Sequence, residues 1–253
     1  KESNFPSETI TPPYDPLLLY TIFENSSLLL PNISAYEANI DGMGYRFTGK
    51  VDVTTQDVDK MIRDVLFEDE LLNGFGSYET PEEIPEDVVE QKINEIRITQ
   101  HKNRVRAKAF FANCTYNKSF VFLRRQTRRD LEVTGNAYWE VIRDADGDIQ
   151  WFKRVPPNNV RITKLSNKSR RCKFYNQKST LTIKETELER KVRSYAVIVE
   201  SSTLYCKEFN CLDIISAKTG RYYETEQELQ KEEGGGRNTN VMQGNEIIHF
   251  SLE

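Results

Sequence analysis

Apolar positions recur along this chain with a helical period in its first half and a strand-like period in its second. The opening stretch, residues 1–15, holds Pro6, Pro12 and Pro13, which lack backbone donors and bias their neighbours toward extended backbone. It reads as an arm that lies on a partner or frays. A short apolar helix is expected over 17–23. A second, over 31–41, has Pro31 in its first turn and ends at Gly42 and Gly44, with Tyr45 to Phe47 as a brief strand after it. Val58, Met61, Ile62, Val65, Leu66 and Leu72 fit the 3.6-residue period and predict a helix over 55–72, capped by Thr54 or Thr55 and stopped by Asn73 and Gly74. Pro85 opens a longer helix over 86–111 through Val89, Ile93 and Ile96. Phe120, Leu123, Thr127 and Leu131 share one side of a helix over 119–133, which Gly135 is suited to end.

Beyond Gly135 the period changes. Tyr138, Val141 and Ile142, then Ile149, Trp151, Phe152 and Val155, predict two strands joined by the turn residues Asp144 to Asp148, with Pro156 and Pro157 closing the pair. Tyr195 to Val199, Thr203 to Phe209 and Glu246 to Leu252 continue as β segments, and Thr219-Gly220 reads as a turn. The fold class is therefore α+β, helices followed by a mainly antiparallel β section. The chain divides into the arm at 1–15, a helical part at 16–135 and a β-rich part at 136–253. The last carries a polar insertion or mobile loop at about 166–190 and a flexible loop at about 232–244 around Gly234, Gly235 and Gly236.

Charge adds a second pattern. The net charge is only -4, so no global basic excess marks a nucleic-acid-wrapping protein. The signs are nevertheless segregated. Residues 56–95 hold thirteen Asp and Glu against Lys60, Arg63 and Lys92, whereas residues 100–129 hold nine Lys and Arg and no acid. Within the basic stretch, Arg124, Arg125, Arg128 and Arg129 have helical spacing and can line up on phosphates, the feature that motivates an alternative reading as a DNA-binding module. The preferred reading is a contact within or between subunits, with the acidic stretch 56–95 as counter-surface.

Candidate chemistry is sparse. Asp144, Asp146 and Asp148 open like a calcium loop, but Ile149 stands where the loop needs glycine and Val155 where it needs glutamate, so a solvated hairpin turn is expected. Cys206 and Cys211 could supply two thiolates, yet the only histidines are His101 and His249, and Cys114 and Cys172 form no second close pair. All four cysteines read as reduced thiols of a cytosolic protein. No nucleotide-binding glycine pattern and no supported catalytic triad is present, so the expectation is a non-enzyme with no cofactor and no metal. The longest aliphatic runs, 17–19 and 28–30, fall short of the roughly 20 residues a membrane helix needs.

The stretch Arg124 to Asp144, with Asp130-Leu131-Glu132-Val133-Thr134-Gly135-Asn136-Ala137-Tyr138 at its centre, resembles the helix-turn-strand segment of tailed-bacteriophage portal proteins. Gly147 to Ile149 and Arg154 to Pro156 continue the likeness. So do Pro16 to Phe47, Tyr195 to Tyr223 and the strand Asn245 to Phe250, in the family's order over about two thirds of the chain. The resemblance implies a wing domain, with the stem, clip and crown outside this chain. It further implies a structural subunit of a homo-oligomeric ring, a dodecamer in mature particles, at one capsid vertex. Such a ring meets the major capsid protein, the terminase and a head-tail adaptor or connector. It passes double-stranded DNA without sequence specificity, touches no membrane, and belongs to the virion, or to the host cytoplasm during assembly. Arg124, Arg125, Arg128 and Arg129 are then candidates for subunit-interface or phosphate contact.

Overall fold

The computed structural model describes residues 8–48, 58–73, 78–177, 183–200, 202–234 and 241–252. Among them are six α-helices: α1 (Pro16–Asn25), α2 (Leu29–Tyr36), α3 (Val58–Asn73), α4 (Glu86–Asn113), α5 (Phe120–Thr134) and α6 (Glu226–Glu233). Ten strands accompany them: β1 (Asn136–Arg143), β2 (Ile149–Val155), β3 (Val160–Ile162), β4 (Arg170–Gln177), β5 (Ile183–Arg190), β6 (Ser194–Val199), β7 (Ser202–Glu208), β8 (Ile214–Ile215), β9 (Tyr222–Tyr223) and β10 (Glu246–Ser251). The fold is α+β with a mainly antiparallel mixed sheet, as the two periods predict. It forms two compact units, one of Lys1–Tyr45, Ala112–Phe174 and Glu185–Glu253, the other of Arg46–Phe111 and Tyr175–Lys184.

In the first unit, local chemistry sets the helix-to-strand transition. The Ser119 hydroxyl accepts from the Phe122 N–H at 3.2 Å and so starts α5. Gly135 ends it in the left-handed region at φ 70°, its own N–H donating to the Leu131 carbonyl at 2.8 Å. The chain then enters β1, which pairs antiparallel with β2 so that Tyr138 faces Val155 and Val141 faces Phe152. Between them the Asp144 carboxylate accepts the N–H groups of Asp146 and Asp148, with Gly147 at φ 86°. This is the hairpin turn that the sequence predicts there.

The sheet order is β2-β1-β10-β7-β6-β3. The last strand, β10, lies between β1 and β7, antiparallel to the former and parallel to the latter. Tyr138, Val155, Val160, Tyr195, Val197, Cys206 and Ile247 form one buried cluster on the sheet. The opposite face carries Trp139 and Arg154, and α5 packs there, with the Trp139 indole donating to the Thr127 hydroxyl at 2.7 Å.

Four expectations are corrected or refined. The described part of the arm lies on the chain's own sheet: Ile10 donates to the Ile162 carbonyl at 2.8 Å and Lys164 to the Glu8 carbonyl at 3.1 Å, so the β3 edge is covered. Tyr45 to Phe47 is not a strand. No ladder takes it up, and Tyr45 instead packs edge-on against Phe120 at 5.3 Å. The helix expected over 31–41 is α2 followed by a π-helical turn, Glu37–Asp41, closed by the Gly42 N–H on the Glu37 carbonyl at 3.0 Å. Lastly, the polar stretch 166–190 holds the paired strands β4 and β5. Glu185, Glu187 and Glu189 do alternate with Thr186, Leu188 and Arg190, but strand pairing rests on backbone hydrogen bonds, and the charged side chains hide the period. Buried Cys172 faces Cys211 across a bridge and ties the hairpin to the unit.

The charged stretch 224–233 carries α6, capped by the Thr225 hydroxyl and anchored by fully buried Leu229. In the flexible loop expected at 232–244, residues 235–240 lie outside the described part. The residues after them are held against the segment 215–217, with Ala217 donating to the Met242 carbonyl and Gly244 to that of Ile215.

In the second unit, Val58, Ile62, Ile84 and Val89 form a small core, with Met61, Leu66, Ile93 and Ile96 around it. This is the apolar periodicity of α3 meeting the first half of α4. The expected cap at Thr54 or Thr55 and the stop at Gly74 lie outside the described residues.

Candidate functional site: the arginine helix and the exposed faces

Helix α5 places Arg124 and Arg128 four residues apart, hence on one face, and the π-helical turn places Glu37 and Asp41 likewise. These residues meet. Arg124 binds the Asp41 carboxylate at 2.8 Å and the Gly44 carbonyl at 3.0 Å. Arg128 reaches the other Asp41 oxygen at 3.1 Å. Arg129 grips Glu37 with both arms of its guanidinium, at 2.7 and 2.9 Å, and these hydrogen bonds raise the Arg129 pKa above its ordinary value. Glu37 and Asp41 are 1% and 4% exposed, so each carboxylate depends on its arginine for compensation.

One turn along, Asp130 is fully buried. Arg154 from β2 binds both of its oxygens at 2.6 Å, and the Tyr20 hydroxyl of α1 donates to it as well. Burial pushes the Asp130 carboxyl up, against the opposing pull of Arg154 and Tyr20. The Tyr20 phenol is pushed up too, by its own burial first and then by the charge of Asp130. Because the polar atoms of this network are occupied by one another, it clamps α1, the π-helical turn, α5 and β2 together.

Of the four arginines singled out in the sequence, three are therefore held by Glu37 and Asp41, not by the acidic stretch 56–95. Arg125 alone of the four forms no ion pair among the described residues, and its Nε is buried without a hydrogen-bond partner there. Sequence reasoning missed Glu37 and Asp41. Their signal was the four-residue spacing of two acids within an otherwise uncharged segment, which matches the spacing of Arg124 and Arg128.

The remaining candidates resolve into local structure. All four cysteines are free and buried, and burial pushes Cys114 up to about 11 and Cys206 and Cys211 up to about 12. Cys206 and Cys211 belong to different buried clusters, so they do not converge as a ligand pair. His249 stacks on Tyr138 at 4.7 Å and bonds the Asn136 side chain at 2.8 Å. His101 is exposed on α4. No group of metal-ligating side chains occurs among the described residues, and none of the described helices is long and apolar enough to cross a membrane.

Two surfaces stand out instead. The segment from α1 through Tyr45 exposes large apolar side chains, among them Leu18 at 56%, Leu28 at 72% and Met43 at 85%. In the second unit, α4 exposes Glu86, Asp87, Glu90 and Glu95 along its first half, beside the apolar positions that pack on α3, and Lys102, Arg104, Arg106 and Lys108 along its second.

Two curated proteins of Bacillus subtilis (strain 168) are similar to this chain over nearly all of it. One is the uncharacterized protein YqbA, 23% identical over 249 residues, which are 98% of this chain and 39% of YqbA. The other is the phage-like element PBSX protein XkdE, 23% identical over 245 residues, 97% of this chain and 40% of XkdE. This chain is thus a distant relative of a phage-element protein. It spans about two fifths of the length of these relatives. No family model matches the chain, and no solved structure does.

Proposed function

We propose that this chain is the wing part of a phage portal subunit, a structural and non-catalytic component of a ring at the unique capsid vertex. The observation that carries the reading is the likeness to the PBSX protein along 97% of the chain, joined to the portal-like stretch Arg124 to Asp144. The fold of that stretch supports it: a capped helix, a left-handed glycine and a strand follow one another where the resemblance implies them. The apolar surface of α1 and α2 suits a subunit that buries it on assembly.

In this reading the ring works by geometry. It docks the terminase on one side, lets double-stranded DNA pass without reading its sequence, and later joins the head to the tail through an adaptor. The clamp of Glu37, Asp41 and Asp130 on α5 would keep the wing rigid while neighbours press on it. Since three of the four α5 arginines are spent on internal carboxylates, the alternative of a DNA-binding module built on Arg124 to Arg129 has no observation in its favour. Electron microscopy of the full-length protein should show rings with an axial hole. A uniformly monomeric protein under assembly conditions would overturn the reading.

A further inference from the structure

Helix α4 carries two unsatisfied charges of opposite sign on one rigid rod. Glu86, Asp87 and Glu90 on its first half, and Glu82 just before it, are exposed and form no ion pair among the described residues. On the second half the same holds for Lys102, Arg104, Arg106 and Lys108, with Ile98 and Val105 exposed between and beside them. The helix dipole favours acid in the first turn, which covers Glu86 and Asp87. It does not reach the basic group, because no basic residue lies in the last turn. Lys102 with Arg106, and Arg104 with Lys108, are like charges four residues apart and weaken an isolated helix. The basic group therefore costs the monomer something and gains it nothing visible.

We infer that the basic half of α4 docks on the acidic half of α4 in a second copy of this chain. At 1.5 Å per residue the centres of the two patches lie about 25 Å apart, so one helix cannot satisfy itself while two copies satisfy each other. Exposed apolar Ile98 and Val105 give the contact an apolar strip beside the charges. A nucleic acid is the weaker occupant, because the carboxylates on the same helix repel phosphates. The inference rests on the ring reading and deepens it by naming a surface through which neighbouring subunits would meet.

The test uses the full-length protein and two charge-reversed variants. One carries Lys102→Glu, Arg104→Glu, Arg106→Glu and Lys108→Glu, the other Glu82→Lys, Glu86→Lys, Asp87→Lys and Glu90→Lys, both checked for helix content by circular dichroism. In sedimentation velocity at low salt each variant alone should lose self-association by about tenfold or more, and an equimolar mixture of the two should regain it. Should either variant lose its helix content, the salt dependence of unmodified protein decides: association must weaken as salt rises. Unchanged association of both variants, or a salt-independent unmodified protein, overturns the inference. So does loss of double-stranded DNA binding, with self-association intact, in the Lys/Arg variant. Rings that persist in both variants would sink this surface and leave the portal reading standing, whereas an unmodified protein that forms no rings sinks both.

Discussion

Helices α4 and α5 both carry clustered Lys and Arg, yet the structure treats them in opposite ways. On α5, Arg124, Arg128 and Arg129 lie over two nearly buried carboxylates and bind them at 2.7 to 3.1 Å. On α4, Lys102, Arg104, Arg106 and Lys108 extend into solvent without an ion-pair partner among the described residues. What separates them is the dielectric around the acid. A carboxylate at 1% or 4% exposure loses its water and must be compensated, whereas one at the surface is screened and gains little from pairing. Clustered basic charge thus serves internal cohesion in one helix and remains available for an external partner in the other.

The largest effect that could break this comparison is at Asp130. Asp130→Ala leaves the Arg154 guanidinium without its carboxylate and should cost about 3–5 kcal/mol in urea unfolding. A loss below about 1 kcal/mol would mean that the buried network does not hold the unit together. Glu37→Ala removes the two-armed partner of Arg129, itself partly exposed, and about 2 kcal/mol should be lost. Gly135→Ala tests the cap that launches β1. An alanine at φ 70° should destabilise by about 1 kcal/mol, read from the thermal midpoint.

A pH effect sharpens the same contrast between buried and solvated charge. Burial holds the His249 imidazole below its ordinary range, with Arg193 acting in the same direction and Glu208 against it. The unfolded chain therefore binds the proton first as pH falls past the ordinary histidine value of about 6.5. The stability contributed by the neutral ring is complete above that pH and is lost progressively below it. Urea titrations across this window should show the loss, and His249→Gln should flatten the part that His249 contributes. At the small end, Lys102→Ala and Arg104→Ala should change unfolding free energy by no more than about 0.5 kcal/mol. A larger loss would show that α4 uses these charges internally.

Much of this was legible from near neighbours. A short apolar run located α1, the 3.6-residue period located α3, α4 and α5, and the Ser119 and Gly135 ends and the Asp144 to Asp148 turn follow from chemistry within five residues. Strands β4 and β5 were missed because β5 alternates in Glu, Thr and Arg and β4 interrupts its few apolar residues with Arg, Lys, Asn and Gln, so an apolar period has too few residues to register. Of the candidate site, the four arginines were visible and their partners were not. An acid-rich stretch nearby in sequence drew the expectation, whereas the carboxylates in use lie 83 to 92 residues away.

What the sequence determined by itself is helices α1, α3, α4 and α5, strands β1, β2, β6, β7 and β10, their order along the chain and the two ends of α5, since these depend on contacts within a turn or two. The tertiary structure alone decided that β10 inserts between β1 and β7, that the proline arm covers the β3 edge, and that Glu37, Asp41 and Asp130 are buried. Burial is a property of what packs around a residue, and here the packing partners include residues 83 to 110 positions apart in the chain. For the same reason only the fold could sort the basic residues into those that α5 consumes and those that α4 still presents.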